Sequence, residues 1–125
     1  MFDIIIPTYK IRPELIRRCL DSISNQDFKH HKVYLVDGTP VDWEHYAEFQ
    51  AIVNDHAVVY LRQTGKGVSQ ARNQAITAGS NPYIAFLDGD DYWYPEHLTE
   101  LANSIESTDD QYVIWWKPMD TRVMI

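Results

Sequence analysis

Short apolar runs at 2–6, 32–36, 57–61 and 83–87 alternate with longer segments whose apolar residues recur at helical spacing. A short run with no polar alternation reads as a strand buried on both faces, which is the signature of a parallel sheet covered by helices. The alternation therefore predicts an α/β sandwich with a mainly parallel sheet. In such sheets ligands bind beyond the carboxyl ends of the strands. Thr8, Asp37 and Asp88 all occupy those ends.

The segments between the runs carry their own start and stop signals. A helix is expected over 13–25, with Pro13 in its first turn and Leu15, Ile16, Cys19, Leu20 and Ile23 on one face. Asp42 is the expected cap of a second helix through Trp43, Tyr46, Phe49 and Ile52, ending near Asn54. A third covers 68–78, with Val68, Ala71, Ala75 and Ile76 together, and a fourth covers 96–107. Pro7, lacking an N–H, is expected to end the first ladder. A last strand is expected over 112–116, with the remainder too short to classify. The glycine-containing loop 62–67 reads as a flexible connection.

The stretch 84–95 reads as strand, acidic turn and helix, with Pro95 in the helix's first turn. In extended backbone Asp88 and Asp90 project to the same side, and Gly89 between them lets the chain bend and a ligand approach. Oxygen ligands grouped in this way suit Mg²⁺ or Mn²⁺. Taken alone, the three acids fit a solvated loop equally well. An EF-hand loop fails, because Tyr92 stands at its next ligand position and Trp93 at its required glycine. A P-loop fails because Tyr60 replaces its first glycine and Gly67 its hydroxyl residue, and a dinucleotide fingerprint fails at Gln70. No histidine has ligand spacing with Cys19, which argues against zinc. Tyr92, Trp93 and Tyr94 either stack on a ligand or cover the end of the sheet.

At 125 residues the chain is one domain, 1–125, without repeats or linkers. A net charge of −7 argues against nucleic acid as a partner, while a divalent cation or a local pocket can still hold a small anion. With one cysteine, no membrane span and no signal peptide in view, a soluble cytoplasmic protein is expected.

Several pieces occur together in one order: Ile4-Ile-Ile-Pro-Thr-Tyr9, Cys19-Leu-Asp-Ser-Ile23 with Gln26, Val36-Asp37-Gly38, Gly67 with Ala71-Arg-Asn73, and Ala85-Phe-Leu-Asp-Gly-Asp-Asp91 with Trp93 and Pro95. Over 3 to about 105 the chain resembles the N-terminal, nucleotide-sugar-binding half of family 2 glycosyltransferases, which have the GT-A fold. The resemblance implies that Thr8 and Asp37 contact the base and ribose of a nucleoside diphosphate, and that Arg72 reaches toward the nucleotide. It implies further that Asp88 lies near ribose or sugar and that Asp90 meets a Mn²⁺ or Mg²⁺ ion, with Asp88 and Asp91 as additional metal candidates. Lys66, placed near the site by position, would offset diphosphate charge. The implied donor is a nucleoside-diphosphate sugar, with a UDP-sugar favoured, and the implied reaction is inverting transfer to an acceptor hydroxyl.

The chain departs from the family pattern in two places. After the second strand the family has paired acids, whereas residues 36–40 carry only Asp37, so base recognition is expected to differ. The acceptor half and its catalytic base are expected beyond these residues, which makes the fold a truncated GT-A domain. Asp109, Asp110 and Asp120 read as turn and tail acids rather than as that base. A nucleotide-sugar-binding module without turnover and a protein-binding scaffold are the alternatives. In both, the strand at 112–116 would be left for a second copy or another partner.

Overall fold

In the computed structural model residues 1–106 are described, together with the backbone at 115–116 and 123–124. The chain runs through β1 (Phe2–Thr8), α1 (Pro13–Ser24), β2 (His31–Asp37), α2 (Tyr46–Asn54), β3 (Val58–Arg62), α3 (Val68–Ala78), β4 (Tyr83–Phe86) and α4 (His97–Glu106). Two short strands follow, β5 (Trp115–Trp116) and β6 (Val123–Met124). The sheet has six strands in the order β3-β2-β1-β4-β6-β5. All its pairings are parallel except that of β5 with β6.

Period-two alternation along β1 sorts its side chains into two layers of core. Phe2, Ile4 and Ile6 pack with Ile16, Cys19 and Leu20 of α1, Phe49, Ile52 and Val53 of α2, and Leu98 and Leu101 of α4. Ile5 points to the other face, where it joins Val36, Ile84 and the small residues Ala71 and Ala75 of α3. Ile4, Ile5 and Ile6 have no exposed surface, and burial of each such side chain stabilises the fold by about 1.5–3 kcal/mol. The result is the three-layer α/β sandwich expected from the alternation.

The order of strands places the site. From β1 the chain builds outward through β2 and β3, then α3 crosses the opposite face and returns β4 to the other side of β1. A crevice therefore opens at the carboxyl ends of β1 and β4, the switch point where α/β sheets bind ligands.

Three boundaries differ from expectation, and a fourth does so in part. Pro7 lies inside β1, opposite Val36, and does not end it. Residue 5 faces β4, accepting a bond from Leu87, and Thr8 faces β2, so by alternation the missing N–H of Pro7 points toward β4. The β1–β4 pairing runs only to Ile5 and Phe86, where Pro7 would be the next donor, so Pro7 ends that ladder as expected while β1 continues along β2. Asp42 does not cap α2, which starts at Tyr46 with no side-chain cap. Instead Pro40 and Trp43 carbonyls accept bonds from the N–H groups of Trp43 and Tyr46, turning the chain twice before the helix.

Pro95 precedes α4 rather than opening it, because Tyr94 and Pro95 carbonyls are taken by His97 and Asp27. Buried Gln26 makes this junction: its Nε2 donates to the Tyr94 carbonyl at 2.7 Å and its Oε1 accepts from the Leu98 N–H at 3.0 Å. At the far edge, β6 was not expected, and it lies between β4 and β5. Residues 112–114 of the expected strand, and Asp109, Asp110 and Asp120, lie outside the described residues. Among the described residues no helix is long and apolar enough to cross a membrane.

Candidate functional site

The floor of the crevice is a buried polar network around Asp37, at the end of β2. Its carboxylate has no exposed surface. Oδ1 accepts from Thr8 Oγ1 at 3.0 Å, from Thr39 N at 3.1 Å and from Thr39 Oγ1 at 2.6 Å. Oδ2 accepts from Tyr60 Oη at 2.8 Å and Arg62 Nη1 at 3.2 Å. Burial pushes the Tyr60 hydroxyl well above its ordinary range. The hydrogen bond to Tyr60, reinforced by the Asp37 charge, holds the Arg62 guanidinium protonated above its ordinary value. Both oxygens of Asp37, the residue expected at base and ribose, are engaged by protein donors here, and Thr8 rather than Asp37 lines the cleft.

The acidic turn follows β4 directly. It is a tight turn rather than extended backbone, closed by the Asp91 N–H donating to the Asp88 carbonyl at 3.0 Å. The turn brings together three exposed carboxylates, Asp88, Asp90 and Asp91, with one oxygen from each within 4.8 Å of the others. Gly89 is needed for packing as well as for access. A Cβ there would meet Thr8 Cγ2 at 2.9 Å and Ile11 Cγ1 at 3.1 Å, so any side chain would push the turn off β1.

Helix α1 holds this turn from behind. Arg18 Nη2 donates to the Asp90 carbonyl at 2.8 Å, and its guanidinium lies 4.5 Å from the Tyr92 ring. Burial, with the Asp91 and Asp90 charges, raises the Cys19 thiol to about 12 and keeps it protonated beneath the turn. Trp93 stacks on His97 at 4.5 Å and packs against the core, while Tyr92 and Tyr94 are exposed. Of the three aromatics, Trp93 covers the sheet end.

Over this floor lies an open cleft of about 860 Å³. Of the residues singled out in the sequence, Thr8, Lys66, Arg72, Asp88 and Asp90 line it. Asp91 lines a smaller adjoining hollow of about 350 Å³ together with Arg72 and Asp88. Arg72 Nη2 lies 3.6 Å from Asp88 Oδ1, and its Nε is buried with no hydrogen-bond partner. A planar guanidinium with an unused donor beside a carboxylate cluster is suited to a bound anion that bridges the two.

The sequence profile of "Glycosyl transferase family 2" matches residues 3–120. The chain belongs to that family. It is 39% identical over 107 residues to the uncharacterized glycosyltransferase EpsJ of Bacillus subtilis, covering 85% of this chain and 30% of EpsJ. It is 34% identical over 104 residues to the glycosyltransferase GlyA of Streptococcus pneumoniae, covering 82% of this chain and 14% of GlyA. The fold superposes on S. aureus TarS 1-349 in complex with UDP with a TM-score of 0.69 at 27% identity, over 85% of this chain and 32% of that one. The chain thus spans less than a third of the length of each of these two relatives.

Within this family 2 domain, four cleft contributors went unread in the sequence. Arg62 and Gln63 belong to the loop whose glycines predict flexibility, yet both line the cleft. The loop is pinned by Gln74 of α3, whose Oε1 accepts from Thr64 N at 2.9 Å and whose Nε2 donates to the Arg62 carbonyl at 2.7 Å. Tyr9, 60% exposed, forms another part of the wall. Arg18 acts from the polar side of α1, whose apolar face packs in the core. A charged residue one position before a buried one, on the face toward the acidic turn, was the available signal.

Proposed function

We propose that the cleft is the donor site of a glycosyltransferase, binding a nucleoside-diphosphate sugar together with a divalent cation. The observation that carries this reading is the meeting of Asp88, Asp90 and Asp91 at the switch point, one oxygen of each within 4.8 Å, beside the partly unpaired guanidinium of Arg72. The donor set fits the ion. Three carboxylates on an exposed turn, with no histidine or thiolate among them, suit Mg²⁺ or Mn²⁺ and leave coordination positions for phosphate and water.

When bound there, such a cation supplies Lewis-acid stabilisation to the diphosphate leaving group. The remaining contributions come from side chains of the chain itself. Arg72 presents donors to phosphate oxygens, and Lys66 places an ammonium at the same wall. Thr8 and Arg62, held by Asp37, give the nucleoside end a rigid polar floor. The reaction assigned is inverting displacement: the acceptor hydroxyl oxygen forms a bond to the anomeric carbon as the bond to the diphosphate breaks, and a base takes the hydroxyl proton. Among the described residues the only carboxylates lining the cleft belong to the cation cluster, so none is assigned as that base.

The TarS complexes with UDP and UDP-GlcNAc, at 27% and 25% identity, support a UDP-sugar as donor. The buried, protonated Cys19 fits a reducing, cytoplasmic setting. Calorimetric titration with UDP, with Mn²⁺ or Mg²⁺ present and then with chelator, tests the reading. Binding that disappears on chelation is expected. A folded protein that binds no nucleoside diphosphate, or binds UDP equally well without a cation, would overturn it.

A further inference from the structure

After β2 the single acid Asp37 is followed by Gly38, and the structure shows what lies against that glycine. A Cβ on Gly38 would lie 2.6 Å from Gln63 Oε1. Gln63 follows β3, and its backbone N–H donates to the Asp37 carbonyl at 2.9 Å, so its Cα is anchored to the end of β2. Its side chain is anchored as well. Nε2 donates to the carbonyls of Gly65 and Gly67, each at 3.0 Å.

Two carbonyl acceptors on one side of the amide fix which end is nitrogen, because the oxygen could not face them. Oε1 is thus held against Gly38, and it accepts no hydrogen bond among the described residues. Both residues line the cleft. The adjoining strands β2, β1 and β4 put Gly38 two strand spacings from the acidic turn, roughly 10 Å, a distance that a nucleoside can bridge. The wall opposite the acidic turn therefore carries one fixed amide acceptor.

We propose that Gln63 reads the nucleotide base. Its Oε1 accepts the ring N–H that uracil carries at N3 and guanine at N1. Cytosine and adenine present a ring-nitrogen lone pair at the corresponding edge, so two acceptors would face each other and the bound state would lose a hydrogen bond instead of gaining one. The site selects keto bases over amino bases, and it does so with an amide oxygen. This inference rests on the donor-site reading above.

The test is calorimetry of UDP, GDP, CDP, ADP and inorganic pyrophosphate, all with Mg²⁺, on the wild-type chain and on Gln63→Leu, Gln63→Glu and Gly38→Ala. The wild type is expected to bind UDP or GDP at least about tenfold more tightly than CDP and ADP. Gln63→Leu should bring that ratio close to unity. Gln63→Glu sets an oxygen against the Gly65 and Gly67 carbonyls and so loosens the loop as Gln63→Leu does, yet it keeps an acceptor and should preserve the preference. Gln63→Leu also removes the bonds to Gly65 and Gly67, and a loosened loop would weaken pyrophosphate and all nucleotides together. Gly38→Ala separates the two effects. Gly38 has a backbone open to any residue, and its new methyl displaces only the end of the Gln63 side chain. The base ratio should again collapse, with pyrophosphate affinity retained. A wild type with no base preference, or an unchanged ratio in folded Gln63→Leu and Gly38→Ala, overturns the Gln63 assignment and leaves the donor site standing. A folded wild type that binds none of the five ligands overturns both.

Discussion

Arg72 on α3 and Asp88 after β4 approach to 3.6 Å, joining a helix on one face of the sheet to the turn at the end of its neighbouring strand. The pair is partly exposed, at 39% and 56% of the two side chains, so it contributes little to stability. It holds the acidic turn and a guanidinium at one spacing. Arg72→Ala is expected to lower the affinity for UDP and for pyrophosphate alike, by about tenfold to a hundredfold, through lost charge-assisted hydrogen bonds. Thermal and urea melts should move by less than about 1 kcal/mol. Calorimetry with both ligands checks this, since a residue that touched only the nucleoside would leave pyrophosphate unaffected.

Asp90 should behave differently. Its side chain is exposed, and the contact that fixes the turn, from Arg18, goes to its backbone carbonyl. Asp90→Asn therefore keeps the turn and removes one anionic ligand from the cluster. The expected result is a loss of about tenfold or more in cation-dependent UDP binding, with an unchanged melting temperature. Unaltered Mn²⁺ dependence in the variant would remove Asp90 from the site.

Asp37 carries a stability prediction beside the binding role expected from the resemblance. Asp37→Ala would leave Thr8, Thr39, Tyr60 and Arg62 without their shared acceptor. Because Arg62 is partly exposed and can turn to water, the expected destabilisation is roughly 3 kcal/mol, read from urea unfolding. Wild-type stability with a selective loss of nucleoside binding would return Asp37 to direct contact with the ligand.

The contrast between Asp37 and Asp90 explains how far the site was legible. Asp88, Asp90 and Asp91 sit within one turn, so sequence neighbours are spatial neighbours, and their grouping could be read directly. The direction in which Asp37 points depends on Tyr60 and Arg62 of another strand, and no local pattern carries that information. The same reasoning separates the strands. Buried β1, β2 and β4 announce themselves by apolar runs, whereas β6 is two residues paired with β4 and has no period of its own. The glycines of the 62–67 loop predict flexibility, whereas the bonds from Gln63 and Gln74 that pin it depend on side-chain directions that no local pattern carries.

The final prediction concerns pH and lies at the opposite end of the sheet. His31 opens β2 with both ring nitrogens buried and, among the described residues, without a hydrogen-bond partner. Burial first, then Lys29 and the N-terminal ammonium, lower its pKa from the ordinary 6.5. Burial lowers His97 in the same direction, against the pull of Glu100. In the window between the lowered folded value and 6.5, the unfolded chain binds a proton that the folded chain refuses. Unfolding free energy contributed by these groups is therefore fully present above that window and falls as the solution is acidified through it. Urea unfolding from about pH 8 down to about pH 5 should show this decline in the wild type. In His31→Phe, which keeps an aromatic ring at the site and removes the titration, the decline should be shallower. Combining it with His97→Phe should flatten it further. Equal slopes in wild type and both variants would mean that the carboxylates alone set the acid limit of the fold.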